Sequence, residues 1–218
     1  MNKNALTIDV YLDTICPWCR MGTASLRTAL ESLPEGTNAT VRYHAYQLNP
    51  DIRPEGEDYR KVMISRLGGT LQFEARMKQY NVTGAHFGLS FNMDSVKYTP
   101  NTKLSHQLIA LTPPELQSQL IDRLFTAYFE QGINLGDVDE LVKIARTMAI
   151  TNDPGALKER LLQGEGLEHV EAGQVSARKL GIRGVPFYVI NDRTALSGLH
   201  SPADFIQAFD LPEALTAL

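Results

Sequence analysis

The first part of the chain alternates between apolar and polar positions in two stretches, with a helical stretch between them. In residues 6–13 every second position is apolar, which is the period of a β-strand with one buried face. Leu26, Leu30 and Leu33 then recur at the spacing of one helix face. Residues 39–48 alternate again. Two strands joined by a helix predict a βαβ unit with parallel strands.

The middle of the chain, residues 57–163, has the helical period instead. Three signals mark helix starts within it: a capping box with proline in the first turn at residues 112–115, Asp137, and Asp153 followed by proline. Residues 82–99 are rich in Gly, Asn and Thr, and we predict a loop there. The pattern therefore predicts a helical block with one long loop.

The last part of the chain returns to β-structure. A helix is predicted to end at Leu180, because Gly181 is typical of the residue that follows a helix. Residues 187–190 form a short apolar run, an Asn-Asp turn follows, and residues 193–196 can pair back as a hairpin. Residues 201–204 (Ser-Pro-Ala-Asp) cap a final helix. The predicted order is β-α-β, a helical block, then α-β-β-α, which is an α/β chain.

Composition and charge exclude several classes of protein. Hydrophobic residues make up 43% of the chain and charged residues 21%, as in ordinary globular proteins. Lys and Arg number 21 against 25 Asp and Glu, a net charge of −4, so the basic surface of nucleic-acid-binding proteins is missing. No apolar run approaches the ~20 residues of a membrane-spanning helix, and residues 1–10 lack a signal-peptide pattern. We expect a cytoplasmic protein without nucleic-acid or membrane partners.

The chain has two cysteines, Cys16 and Cys19, which lie in the sequence Cys-Pro-Trp-Cys. If Cys16 is the N-cap and Pro17 the first helical residue, the Cys16 sulfur faces the free N–H groups that follow Pro17. The positive end of the helix dipole then favours the thiolate. Cys19 lies one turn further, inside the helix, where it is placed to resolve a mixed disulfide rather than to attack first. Trp18 is expected to be exposed as an apolar contact for a polypeptide substrate, with a core aromatic as the alternative.

Other uses of a cysteine pair fit the sequence less well. A structural zinc site needs four ligands, but there is no second cysteine pair and the five histidines are scattered, so we expect no metal. Attached haem requires a histidine after the second cysteine, where this chain has Arg20. A Cys–His hydrolase would bring His44 or His106 to Cys16, but it leaves Cys19 without a role. We expect the histidines to be surface or packing residues.

A second signal lies far downstream, in Gly184-Val185-Pro186-Phe187. Proline at the first position of a strand is tolerated because it need not donate to the ladder. Most X–Pro bonds are trans. The position of Pro186, directly before a strand expected to pair near the cysteines, favours a cis bond after Val185.

Together these features resemble the thioredoxin fold, and the long helical block between the two halves resembles the DsbA family. Finer motifs resemble its FrnE-like branch: Gln47-Leu48-Asn49-Pro50, Pro100-Asn101-Thr102 followed by His106, Ala127-Tyr128-Phe129 followed by Gly132, and Leu196-Ser197-Gly198. The resemblance covers nearly the whole chain. It implies an α/β, thioredoxin-like fold with a large helical insertion. The thioredoxin-like domain would comprise residues 1–50 and 164–218, and the insertion domain residues 51–163.

The family resemblance implies dithiol–disulfide exchange. Cys16 would be the nucleophile, Cys19 the resolving cysteine, and Pro186 the cis-proline that packs beside the disulfide. The redox-active disulfide would make a metal or an organic cofactor unnecessary. The expected partners are protein or small-molecule thiols and disulfides, glutathione among them.

The resemblance also indicates how substrate is held. The backbone of Val185 would offer its polar groups to an extended substrate, and Pro17 and Trp18 would contact the same substrate. One departure is Leu199-His200, where relatives often carry Ala-Gln. This departure affects the contacts expected between these residues and a substrate, and it leaves the expectation for the cysteine pair unchanged.

Two other functions stay open at this point. The same superfamily includes 2-hydroxychromene-2-carboxylate isomerases and kappa-class glutathione transferases, which bind glutathione and typically have serine at the position of Cys16. An enzyme of that type predicts activity that needs Cys16 but not Cys19. A non-catalytic peptide-binding or chaperone-like module predicts binding that survives loss of both cysteines.

Overall fold

The computed structural model describes residues 5–209. The predicted thioredoxin-like domain also includes residues 1–4 and 210–218, which lie outside this range. Its elements are, in order, β1 (Ala5–Leu12), α1 (Pro17–Glu31), β2 (Asn38–Ala45), β3 (Glu57–Asp58), α2 (Tyr59–Leu67), α3 (Thr70–Ala85), β4 (Tyr98–Thr99), α4 (Lys103–Leu111), α5 (Pro114–Phe129), α6 (Val138–Thr147), α7 (Pro154–Leu162), α8 (Leu167–Lys179), β5 (Phe187–Ile190), β6 (Thr194–Ser197) and α9 (Pro202–Phe209). None of these helices, all within the described range, is long and apolar enough to cross a membrane.

A four-stranded mixed sheet in the order β2-β1-β5-β6 lies at the centre of the fold. β1 and β2 pair in parallel over their full length, which confirms the predicted βαβ unit. β5 runs antiparallel to β1, and β6 runs antiparallel to β5. β2 ends at Ala45 rather than at residue 48, because beyond it the backbone N–H of Leu48 donates to the Asp13 carboxylate instead of a strand partner.

Helices cover both faces of this sheet. On one face the ring of Tyr188 in β5 lies 4.8 Å from that of Phe205 in α9, which packs beside α1. On the other face Tyr11 in β1 packs with Ala177 in α8. The even-numbered apolar residues of β1 are fully buried, as their alternation predicts. The result is a helix–sheet–helix arrangement with the end of β1 leading directly into α1.

The segment between β2 and α8, which we call the insertion, is mostly helical, and the structure corrects two details of its prediction. The segment opens with β3, which pairs antiparallel with β4, so residues 57–58 are a strand rather than the start of a helix. The loop predicted for residues 82–99 begins later, because α3 continues to Ala85. Tyr80 and Gly84 of α3 are buried against Phe91, and this packing outweighs the loop-like composition.

The helix caps agree with the sequence at two positions and differ at a third. The carboxylates of Asp137 and Asp153 accept N–H groups of the first turns of α6 and α7, at 2.8 and 2.9 Å. The predicted capping box at residues 112–115 is wrong. The hydroxyl of Thr112 donates back to the carbonyl of Leu108 in α4 at 2.7 Å, and α5 begins after Pro113 without a side-chain cap.

The C-terminal turns follow their predicted chemistry. Gly181 comes directly after the C-cap of α8 with φ 69°, a conformation that favours glycine. The turn between β5 and β6 places Asn191 and Asp192 at φ 52° and 53°, as tight hairpin turns require. Ser201 caps α9 through reciprocal hydrogen bonds with Asp204.

Candidate active site

The side chain of Cys16 caps the helix α1. Cys16 has an extended backbone (φ −92°, ψ 114°) and Pro17 occupies the first helical position, as predicted. The Cys16 sulfur accepts the backbone N–H of Cys19 at 3.4 Å, and its thiol donates to the carbonyl of Val185 at 3.6 Å. The sulfur is therefore held between a helix N-terminus and the segment that precedes β5.

The two sulfurs, both free thiols, differ in their surroundings. Cys16 is 2% exposed and Cys19 is 0% exposed. Burial raises the pKa of the Cys19 thiol well above its ordinary value, and the neighbouring Cys16 sulfur raises it further, which outweighs the lowering by a backbone hydrogen bond from Asp13. Cys19 is thus kept protonated while Cys16 is the thiol at the helix end.

Val185 and Pro186 lie directly beside Cys16. The Val185–Pro186 peptide bond is cis, and Pro186 is buried. The carbonyl of Pro186 accepts the backbone N–H of Gly198, just after β6, at 2.8 Å. The fold therefore brings the two sequence signals together, since Val185 contacts Cys16 and the segment after β6 holds Pro186 in place.

Pro17 and Trp18 are half-buried rather than fully exposed. The Trp18 ring packs edge-on against Tyr80 of α3, with ring centroids 5.5 Å apart. The expectation of an exposed Trp18 is therefore corrected. The insertion covers one side of the indole, which the local sequence around the cysteines could not reveal.

Arg20, the residue after Cys19, ties α1 to the insertion. Its side chain is 5% exposed, donates to the carbonyl of Ser90 at 2.6 Å and forms a salt bridge with Glu130. The guanidinium also lies 4.8 Å from the centre of the Phe91 ring. This cation fixes the insertion against the helix that carries both cysteines.

A second contact with the insertion lies just before Cys16. The hydroxyls of Thr14 and Ser105 are 2.8 Å apart, and beside them Asp13 Oδ1 lies 3.4 Å from His106 Nε2. Asp13 and His106 are 0% and 3% exposed. The other carboxylate oxygen of Asp13 accepts the N–H of Leu48 at 2.7 Å. The segment before the cysteines is thus held to the first turn of α4.

Within residues 5–209 the histidines do not form a cysteine–histidine site with Cys16. Among the described residues the hydrogen-bond partners of the Cys16 sulfur are the two backbone groups given above. His44 Nε2 lies 2.6 Å from Asp9 on the sheet surface, and His106 faces Asp13. Over residues 5–209 no group of three His, Cys, Asp or Glu side chains is placed to hold a metal ion.

Tyr188 of β5 places a buried hydroxyl close to both sulfurs. This hydroxyl has no hydrogen-bond partner among the described residues. Burial raises the pKa of Tyr188 well above its ordinary value, and the sulfurs of Cys19 and Cys16 raise it further. The hydroxyl lies against Gly22, one turn after Cys19.

Sequence reasoning missed three residues around the cysteines, each with a local signal. Asp13 is a charged residue at the end of an otherwise alternating strand, three positions before Cys16. Arg20 follows Cys19 and is the one charged residue among positions 17–26, and Tyr188 lies two residues after Pro186. Their roles depend on contacts with residues far along the chain.

Comparison with known proteins identifies relatives that have the fold described above. Residues 7–210 match the model of the DSBA-like thioredoxin domain. The uncharacterized protein YwbO of Bacillus subtilis (strain 168) is 23% identical over 191 residues, 85% of this chain and 86% of that protein. The probable DsbA oxidoreductase SCO1869 from Streptomyces coelicolor superposes with a TM-score of 0.83 at 22% identity, covering 94% of this chain and 88% of that one.

A second solved structure is the cytosolic disulfide reductase DsbM from Pseudomonas aeruginosa with GSH. It superposes with a TM-score of 0.59 at 17% identity, over 97% of this chain and 100% of that one. Likeness at this level of identity establishes the fold, and the family match over residues 7–210 establishes the family. The chain belongs to the family of DSBA-like thioredoxin domain proteins.

Proposed function

We propose that this protein is a cytoplasmic thiol–disulfide oxidoreductase or isomerase of the FrnE-like branch that acts through Cys16 and Cys19. The observation that carries the proposal is the asymmetry of the pair. Cys16 caps a helix and contacts the Val185 carbonyl, while Cys19 is fully buried and its raised pKa keeps it protonated. Cys16 is placed to attack a disulfide first, and Cys19 is placed to resolve the mixed disulfide that forms. Dithiol exchange requires these two separate roles.

In the forward direction, the Cys16 thiolate attacks one sulfur of a substrate disulfide. A mixed disulfide forms and the other substrate sulfur leaves as a thiolate. Cys19 then loses its proton and attacks Cys16, the mixed disulfide breaks, and the second substrate thiolate is released. The Cys16–Cys19 pair is oxidised by two electrons and the substrate is reduced; the reverse sequence oxidises a substrate dithiol. Because thiols supply the electrons, the proposed reaction needs no metal or organic cofactor.

The Val185 carbonyl connects the redox state to substrate binding. In the dithiol form it accepts the Cys16 thiol at 3.6 Å. Once Cys16 is part of a disulfide it has no proton to donate, so the carbonyl becomes available to a substrate backbone N–H. Pro17 and Trp18, half-buried beside the pair, complete the proposed substrate contact.

The proposed partners are protein or small-molecule thiols and disulfides, including glutathione. The solved structure of the disulfide reductase DsbM with GSH, a protein of the same fold, supports glutathione as one such thiol. The competing glutathione-dependent isomerase or transferase function would use Cys16 alone. The two functions therefore differ in what they require of Cys19.

Substitution of each cysteine in turn tests the proposal. We expect Cys16→Ser to abolish the reduction of insulin disulfides, and Cys19→Ser to accumulate a covalent adduct with insulin on non-reducing gels, because no thiol remains to resolve it. Ser25→Ala in the same helix, away from the pair, is the control and should retain activity. Full turnover of a small electrophile with glutathione by Cys19→Ser would establish the transferase function instead. Aggregation suppression that survives both substitutions, without thiol activity in the wild type, would establish a binding module.

A further inference from the structure

Arg76, in the helix α3 of the insertion, is half-buried without a carboxylate to balance its charge. Among the described residues it forms no salt bridge, and every other arginine in residues 5–209 that forms none is exposed. The arginines that pair with carboxylates in this range are Arg20, Arg27, Arg42, Arg60 and Arg160. Withdrawing a charge from water is costly unless an opposite charge faces it, so the position of Arg76 needs an explanation.

Arg76 lies on the side of α3 that packs toward the rest of the molecule. The buried residues of α3 are Phe73, Tyr80 and Gly84. They lie one turn before Arg76 and one and two turns after it, which is the spacing of a single helix face. Lys78, between them in sequence, is exposed on another face. The fold therefore directs Arg76, and not the neighbouring lysine, to the edge of the packed interior.

Tyr80 connects Arg76 to the cysteine pair. The ring of Tyr80 packs edge-on against that of Trp18, with centroids 5.5 Å apart, and Trp18 lies between the two cysteines in the sequence. The guanidinium of Arg76 donates a hydrogen bond to the Tyr80 hydroxyl, and the Cys16 sulfur is near enough to raise the pKa of that hydroxyl. Arg76 and Trp18 thus contact the same tyrosine, beside the sulfur that attacks the substrate.

The contact with Tyr80 leaves the positive charge of Arg76 unbalanced. Burial raises the pKa of Tyr80 by more than the hydrogen bond from Arg76 lowers it, so the hydroxyl is neutral at neutral pH. Arg20, which also lies near the cysteines, is already paired with Glu130. The nearby carboxylate of α3, Glu74, faces Arg60 at 3.8 Å. A guanidinium has several N–H donors in one plane, and those not used by Tyr80 can bind a carboxylate.

We propose that Arg76 binds a carboxylate of the substrate close to its reacting sulfur, so that the protein prefers disulfides with a negative charge beside the cysteine. The inference rests on the proposed dithiol exchange and names the class of substrate. Arg76 takes no part in the transfer of electrons; it holds the substrate while Cys16 attacks. The carboxylate belongs either to an acidic residue beside the cysteine of a peptide or to glutathione, and the chemistry of recognition is the same.

Three small disulfides of similar size and different charge test this preference: dithiodipropionate is anionic, hydroxyethyl disulfide is neutral and cystamine is cationic. Reduced protein is mixed with each, acid-quenched at intervals, and its remaining thiols are counted by alkylation and intact mass. We expect Arg76→Gln to slow oxidation by dithiodipropionate at least about fivefold, and to change the rate with hydroxyethyl disulfide by less than about twofold. Oxidation by cystamine should become faster, because a positive charge no longer faces its ammonium groups.

Two further variants separate a contact from general attraction. Lys78→Gln removes the same charge from an exposed position of the same helix, and it should leave the three rates close to those of the wild type. Arg76→Lys keeps the charge but not the paired hydrogen bonds, so it should retain only part of the preference. Equal slowing with all three disulfides in Arg76→Gln, or an equal loss of preference in Lys78→Gln, would overturn the inference.

The source of the carboxylate follows from a second set of disulfides. Two peptide disulfides that differ only in Glu or Gln beside the cysteine are compared with glutathione disulfide. A defect of Arg76→Gln with the Glu peptide but not the Gln peptide assigns the carboxylate to acidic peptides, and a defect with glutathione disulfide alone assigns it to glutathione. No defect with any anionic disulfide would overturn the inference. A wild-type protein that none of the disulfides oxidises would instead overturn the proposed function itself.

Discussion

At the scale of single residues, the protein pairs most of its buried charges through more than one hydrogen bond. Asp9 in β1 shows this best: it is 8% exposed and accepts from Arg42 Nε at 2.7 Å and from His44 at 2.6 Å. Burial alone would raise the pKa of Asp9, but the hydrogen bonds from His44 and Arg42 outweigh it and lower the pKa below its ordinary value.

This lowered pKa predicts how stability depends on pH. The stabilisation from Asp9 is fully present above the ordinary carboxyl pKa and is lost as the pH falls through the lower folded-state pKa. We expect Asp9→Asn to reduce the free energy of unfolding by about 1–2 kcal/mol at neutral pH, and by less near pH 3, where the stabilisation is already being lost. Urea unfolding at the two pH values measures the difference.

The matched control is Asp192→Asn, since the Asp192 carboxylate lies 3.8 Å from the same Arg42 but is 81% exposed. It should change the free energy of unfolding by less than about 0.5 kcal/mol at either pH. An Asp9→Asn effect that is equally large at both pH values would show that its cause is packing and not the carboxylate charge.

At the scale of elements, the close approach of α1 to β5 positions the cysteines beside Pro186. A Cβ at Gly22 would lie 2.1 Å from the Tyr188 hydroxyl and 3.0 Å from Pro186 Cγ, so only glycine fits there. Gly22 is one turn after Cys19 and Pro186 directly precedes β5. The contact therefore sets the distance between the helix that carries the sulfurs and the strand that follows Pro186.

A double-mutant cycle tests this contact. We expect Gly22→Ala to destabilise the protein by about 1–3 kcal/mol through overpacking, while Tyr188→Phe costs little because its hydroxyl has no partner among the described residues. In the double variant the removed hydroxyl makes room for the methyl group, so at least about 1 kcal/mol of the loss should be recovered. Thermal or urea unfolding of the four proteins gives the coupling energy.

Gly155 offers the matched control for helical glycine. A Cβ there would meet its nearest atom, in Asp153, at the ordinary distance of 3.5 Å. Gly155→Ala should be neutral or stabilise by up to about 1 kcal/mol. If the effects of Gly22→Ala and Tyr188→Phe on the free energy of unfolding were additive, the contact between Gly22 and the Tyr188 hydroxyl would be contradicted.

At the scale of the whole molecule, the site lies where the sheet, α1 and the insertion meet. The sequence predicted what local chemistry decides: the βαβ unit, the Cys16 cap, the C-terminal hairpin and the proline before β5. It could not predict contacts made by residues distant in the chain, such as Arg20 with Glu130 or Asp13 with His106. The same docking half-buries Trp18. The packing of the insertion against α1 thus completes the site, and no pattern in the neighbouring sequence indicates this packing.

The most direct test of redox activity in this protein is the equilibrium of the Cys16–Cys19 pair with glutathione. Purified protein is brought to equilibrium in a series of reduced and oxidised glutathione mixtures, acid-quenched, and its thiols are counted by alkylation and intact mass. Dithiol exchange through this pair predicts one two-electron transition from two free thiols to none, with the loss of two hydrogens and without a lasting glutathione adduct. A pair that stays reduced throughout, or a stable adduct on Cys16 with Cys19 still free, would contradict it.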